Sequence, residues 1–181
     1  MMKLFNTYIR SKIDYCCIVW SPWCQSDIDK VERIQKSYTS KIKGLEEMNY
    51  HQRLKKLELY SLERRRERFM IINAWQQIEG LKENVLQFRE RWIGRNRNIK
   101  SNRVPTSPLN IIHYSPARKM ERLFNCLPQN IKSITGVNTE TFKKRLDDWL
   151  RTVPDQPRID EYGASVAAET NSIEHQVSYA G

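Results

Sequence analysis

Two stretches of the chain hold residue types suited to gripping phosphate. Arg64, Arg65, Arg66 and Arg68 occupy five positions of SLERRRERF, and Arg89, Arg91, Arg95, Arg97, Lys100 and Arg103 are spread through RERWIGRNRNIKSNRV, where Glu90 is the single acid and Trp92 the aromatic. Planar guanidinium groups chelate phosphate oxygens, and a ring placed among basic side chains offers a face for base stacking. The expected phosphate contacts are Arg64, Arg65, Arg68, Arg95, Arg97, Lys100 and Arg103, with Trp92 as a stacking platform. Each cluster has a plainer reading beside this one. Glu63 and Glu67 suit the first as a solvated, ion-paired helix face, and the second suits a merely soluble loop.

Other chemistries find no support. Cys16, Cys17, Cys24 and Cys126 form no Cys-x-x-Cys pair, and His51, His113 and His175 lie far apart, so no zinc site is expected. The cysteines read as reduced, mostly buried small side chains. Asp147 and Asp148 sit within KKRLDDWL, where helical neighbours point about 100° apart, and Lys143, Lys144 and Arg151 read as their surface ion-pair partners. No Gly-rich phosphate loop, nucleophile elbow or metal-binding helix motif occurs. The residues thus describe a basic binding module with no catalytic group, metal or cofactor.

Charge carries the same message. Residues 1–152 hold 30 basic and 16 acidic residues, a balance of +14, whereas residues 153–181 hold one basic and five acidic. A body so positive implies a polyanionic partner, nucleic acid before membrane. No apolar run approaches the roughly 18–20 residues that span a bilayer, and the polar interruptions in MMKLFNTYIRSKIDY do not suit a signal peptide. The expectation is an intracellular protein, nuclear or cytoplasmic.

The elements that position these residues read as mainly helical. Leu4, Phe5, Tyr8, Ile9 and Ile13 predict an amphipathic helix over 2–13. The run YCCIVWSPWCQSD reads as an irregular connector anchored by buried Trp20 and Trp23, because Pro22 interrupts it. Ser26 with Asp29 predicts the start of the next helix, with Ile28, Val31, Ile34, Tyr38, Ile42 and Leu45 as its apolar stripe. Asn49 should cap a helix carrying Tyr50, Leu54 and Leu57. Ser61 and Gly80 should bound a helix whose basic first half is solvated and whose apolar second half, Phe69 to Ile78, enters the core. Ile111, Ile112 and Tyr114 suggest a short strand. Helices over 117–126 and 139–152 should follow, the last with Phe142, Leu146, Trp149 and Leu150 on one face. Disorder is expected beyond Pro154.

Two stretches resemble a known family. Tyr15, Cys16, Trp20, Ser21 and Pro22, then Glu32, Arg33 and Gln35, then Tyr50, Arg53 and Leu54, then Leu59, Ser61, Leu62, Glu63, Arg65 and Arg66 match in order the pattern just after the palm in reverse transcriptases of jockey-like non-LTR retrotransposons. Asn125, Leu127, Pro128, Val137, Asn138, Phe142, Lys143, Leu146 and Asp147 are similar to the carboxy-terminal ending of the same family. There Phe124 replaces a Trp, and Thr139-Glu140 makes the spacing before Phe142 one residue longer. The resemblance spans about residues 8–151.

The resemblance implies a helical, thumb-like bundle over 1–88, a basic connector over 89–115 and a small helical terminal domain over 116–152; the acidic tail over 153–181 matches nothing in the family, and its composition alone predicts disorder. The resemblance also implies a chain that binds the backbone of an RNA or DNA template–primer. In the family, polymerisation belongs to the Phe- or Tyr-Ala-Asp-Asp box of the palm, which has no counterpart here, since the only Asp-Asp lies between Leu146 and Trp149. The fingers and palm would lie upstream of Met1, and a chain derived from an RNA-directed DNA polymerase is expected to be inert alone. The alternative is a domesticated or vestigial helical module that meets a protein partner through a face exposed by the missing domains.

Overall fold

The computed structural model describes residues 2–83, 97–99, 115–157, 159 and 170–179. Every regular element among them is helical. The strand anticipated at 111–114, with most of the basic stretch 89–103, lies outside the described residues. The chain divides into two units, Met1–Arg66 with Asp155–Ala180, and Glu67–Pro154.

In the first unit a helical run opens with α1 (Met2–Leu4), passes through a π-helical segment (Phe5–Arg10) and ends in α2 (Ser11–Asp14). Of its apolar side chains Phe5 is fully buried and stacks on Tyr38, centroids 4.5 Å apart, while Leu4 and Tyr8 face water. Cys16 takes a left-handed conformation (φ 49°) and α3 (Cys17–Trp20) follows. The expected irregular connector is therefore a short helix that stops before Pro22. Trp20 and Trp23 do not anchor it, because both are exposed and the side chain buried here is Cys17.

Helix α4 (Gln25–Thr39) begins at Cys24, ahead of the expected Ser26 cap. Its buried face is Ile28, Glu32, Gln35 and Thr39, a stripe that is mostly polar, and Ile34 is exposed. Helix α5 (Tyr50–Lys56) starts as expected: the Asn49 side chain accepts from Gln52 N, and Gln52 answers the Asn49 N–H. It ends with Glu58 in left-handed conformation, Leu59 N donating to Leu54 O and Glu58 N to Lys55 O. Glycine normally fills that position.

Helix α6 (Leu62–Ile78) is bounded as the sequence predicts. Ser61 Oγ accepts from Arg64 N at 3.1 Å. At the other end Gly80 (φ +69°) lets Leu81 N reach Gln76 O and Gly80 N reach Gln77 O, which satisfies two terminal carbonyls. The first unit ends on a segment assigned to disorder at the sequence level. Asp155 and Asn171 join its interior, and Ile173 of α10 (Ile173–Tyr179) is fully buried.

The second unit is built on the rest of α6 with α7 (Pro116–Asn125), α8 (Gln129–Lys132) and α9 (Thr139–Leu150). Ser115 and Asn138 cap α7 and α9 through their side-chain oxygens. Trp75 stacks flat on Phe142, centroids 4.3 Å apart, and donates its indole N–H to Ile134 O at 2.9 Å. Met70, Ile71, Ala74, Met120, Leu123, Phe124 and Leu146 fill the space around them. Each such side chain withdrawn from water contributes about 1.5–3 kcal/mol before the entropy of ordering it.

Candidate nucleic-acid interface

The arginines of α6 were expected at a solvated end, yet that end is buried. Arg64 and Arg66 are 0% and 2% exposed, and Glu63 and Glu67 are equally enclosed. Arg64 therefore presents no guanidinium to a ligand. Arg65 grips Asp14 through two nitrogens, Nε at 2.9 Å and Nη2 at 2.7 Å from Oδ2. Arg68 does the same to Asp147, Nε to Oδ1 at 2.5 Å and Nη2 to Oδ2 at 2.7 Å. Glu67 receives Lys119 at 3.2 Å. For Arg65 or Arg68 to hold a phosphate, a mostly buried forked ion pair would first have to open.

Arg97 is likewise a strut. Its Nη1 donates to Lys132 O and Ile134 O, each at 3.0 Å, and its Nη2 pairs with Glu79, whose other oxygen accepts from Gly136 N. Asn125 fixes the neighbouring backbone by accepting from Ile99 N and donating to Ile99 O. Trp92, Arg95, Lys100 and Arg103 lie outside the described residues.

The cations that face water are others. In the first unit Arg33, Lys41, Lys43, Lys55 and Lys56 are exposed, and among the described residues none of them has an ion-pair partner. In the second unit Lys144 and Arg145 of α9 are exposed in the same way. Asp148 pairs with Arg151, as the sequence suggested, but Asp147 is held by Arg68 instead. Sequence reasoning had weighted density of arginine. The signal it passed over was the lysines flanking α5, which sit in turns and at a helix end where few partners compete.

It also passed over a buried network. Glu32 Oε1 accepts from the Tyr50 hydroxyl at 2.5 Å and from Leu62 N at 3.0 Å, and Oε2 accepts from Glu63 N at 3.2 Å. Gln35 donates to Tyr50 Oη and Tyr60 O, and Arg53 to Thr39 Oγ1 and Met48 O. Ser61 donates to Asp155 from both its backbone N–H and its hydroxyl, and Asn171 bridges the same pair. A carboxylate and a serine thus satisfy the first N–H groups of α6, where a helix end favours negative charge. The spacing Ile28, Glu32, Gln35, Thr39 keeps helical phase, and that periodicity was the readable clue.

Burial pushes the Glu32 carboxyl up from 4.5 to about 7, with the Tyr50 hydroxyl and Leu62 N–H pulling the other way. Burial and the Glu32 carboxylate push the Tyr50 phenol up in turn. Burial also raises the Cys17 thiol to about 11, which leaves it a poor nucleophile. Cys16, by contrast, is exposed, against the expectation of burial, and all four cysteines are free thiols. Among the described residues no three His, Cys, Asp or Glu side chains gather as a metal site, and no helix is long and apolar enough to cross a membrane.

Comparison with known protein families, curated proteins and solved structures finds no match to this chain. The chemistry that the exposed cations offer is electrostatic: dispersed ammonium and guanidinium groups on helices and turns.

Proposed function

We propose that this chain binds the phosphate backbone of RNA or DNA, as the carboxy-terminal, thumb-like portion of a non-LTR retrotransposon reverse transcriptase without a polymerase site of its own. The observation that carries the reading is the +14 balance of residues 1–152, with Arg33, Lys41, Lys43, Lys55 and Lys56 of the first unit exposed and, among the described residues, without an ion-pair partner. The order of the family-like residues supports it as well. Glu32, Gln35, Tyr50, Arg53 and Leu62, spread over 31 positions, meet in one hydrogen-bonded network through Thr39, so a shared fold accounts for why they would occur together.

Fluorescence anisotropy of a labelled RNA/DNA duplex across a salt series tests the proposal. Engaging roughly four to six phosphates gives a log–log slope of about −3 to −5. Replacing Lys41, Lys43, Lys55 and Lys56 with Ala, or Arg95, Lys100 and Arg103 with Ala, should each flatten that slope. Arg97 is left intact because it braces Glu79 and the 132–134 backbone. Affinity that is insensitive to salt would sink the reading. A protein partner is the second reading, favoured by one feature: Leu4, Tyr8, Tyr15, Val19, Trp20, Trp23 and Ile34 are all exposed within the first 34 residues. Self-association of the purified chain without nucleic acid would move the balance to it.

A further inference from the structure

Trp20 is fixed in place and yet open to solvent. Its indole N–H donates to Tyr15 O at 2.7 Å, which pins the edge of the ring. The Arg66 guanidinium lies over the ring, Cζ 5.9 Å from the centroid. Even so, Trp20 is 39% exposed, with Tyr15 at 76% and Trp23 at 63%. The backbone beneath is held as tightly, since Asp14 at the end of α2 is locked to Arg65 and Cys16 makes the left-handed step into α3. A surface ring ordinarily has to be immobilised when a ligand arrives; this one is immobilised beforehand.

Arg66 strengthens the argument. Its Nε and Nη1 are buried with no hydrogen-bond partner, an arrangement costly to a cation unless a neighbouring group compensates. The face of Trp20 supplies a cation–π contact, worth more where water is excluded. Positive charge is in local excess as well. Arg65 and Arg66 both act on Cys17 and Arg10 feels Arg65, set against the carboxylates of Asp14, which Arg65 holds, and Glu32, on which Arg66 acts. An anchored, exposed ring backed by a cation suits an aromatic ligand that carries negative charge.

We propose that Trp20 is a stacking platform for an unpaired nucleobase, in a strand whose phosphates are attracted by the solvent-exposed cations of the first unit. The inference rests on the nucleic-acid reading above and deepens it, by adding a contact to bases of a single strand beside the contact to backbone. A protein surface would be served by the apolar area alone; a ring pinned at its edge on a chain whose residues 1–152 carry a +14 balance favours the nucleotide.

The test compares a labelled single-stranded oligonucleotide with one of equal length whose central positions are abasic, at fixed salt and across a salt series. The wild-type chain should bind the abasic strand about tenfold more weakly, with the salt slope unchanged, since stacking is independent of counterion release. Trp20→Ala should lose the same factor on the intact strand and nothing further on the abasic one, and Trp20→Phe should recover part of it. Equal wild-type affinity for both strands with a steep slope would overturn the platform and leave backbone binding standing. No binding to either strand would overturn both. Loss of affinity for intact and abasic strands alike in Trp20→Ala, or self-association that this substitution abolishes, would reassign the ring to folding or to a protein partner.

Discussion

Helix α6 begins among polar groups and ends among apolar ones, and the two units differ accordingly. In the first unit Glu32, Gln35, Thr39, Arg53, Ser61, Arg64, Arg66 and Asn171 are withdrawn from water beside Tyr50, Leu54 and Leu62. In the second the enclosed side chains are mostly apolar, among them Met70, Ile71, Ala74, Trp75, Leu123, Phe124, Phe142 and Leu146, with Glu67, Gln77 and Lys132 as buried polar groups and Arg68–Asp147 and Arg97–Glu79 as ion-pair ties. An apolar interior gains from every buried area and tolerates changes that preserve volume. A polar interior gains little net from each hydrogen bond but loses heavily when one partner is missing, so it demands a single arrangement. The first unit is specified by hydrogen-bond pairing, which among the described residues stops short at Gln35 Oε1 and at Arg66 Nε and Nη1, and the second by packing.

The contrast can be broken most forcefully at Trp75. Trp75→Ala removes the stack on Phe142 and the donor to Ile134 O, and should cost about 3–5 kcal/mol in urea denaturation, with amide exchange rising first in α9. Equal loss of protection in α5 would show that the units do not differ in the way described.

Next in size is the titration of Glu32. Its folded pKa of about 7 stands above the ordinary 4.5, so the folded state holds the proton more tightly than the unfolded chain. Its contribution is therefore greatest below about pH 4.5 and falls by about 3 kcal/mol as pH rises towards 7, remaining flat above that. The stability difference between wild type and Glu32→Gln should shrink between pH 5 and 7.5 in paired denaturation curves. A difference that does not change with pH would mean the carboxyl is not held up by burial.

The smallest effect sharpens the comparison. Glu58 occupies a left-handed position that glycine takes without strain, and its side chain is exposed, outside the polar network. Glu58→Gly should raise stability by about 0.5–1 kcal/mol, seen as a modest rise in melting temperature. A drop would indicate that the side chain holds something the helix end needs.

Much of the fold was legible locally. The caps at Asn49 and Ser61 and the stop at Gly80 fall where their residue types place them, because a cap is satisfied by atoms within a few positions. Charge density was a poorer guide to the candidate site. Arg65 finds Asp14 across 51 positions and Arg68 finds Asp147 across 79, distances over which spacing carries no information. The exposed tryptophans misled in the other direction, since aromatic bulk was read as burial when Trp20 is instead anchored at its edge by Tyr15 O.

By itself the sequence determined the helical character, the cap of α5, both ends of α6 and the positive balance of residues 1–152, all of which follow from local hydrogen bonding or from simple counting, whereas α4 stops at Thr39, short of the stripe expected to reach Leu45. Tertiary structure alone decided which cations remain available. It enclosed Arg64 and Arg66, tied Arg65, Arg68 and Arg97, and left Arg33, Lys41, Lys43, Lys55 and Lys56 to solvent. The physical reason is that a charge acts outwardly only when water and not a buried carboxylate surrounds it, and that depends on partners brought together from distant parts of the chain.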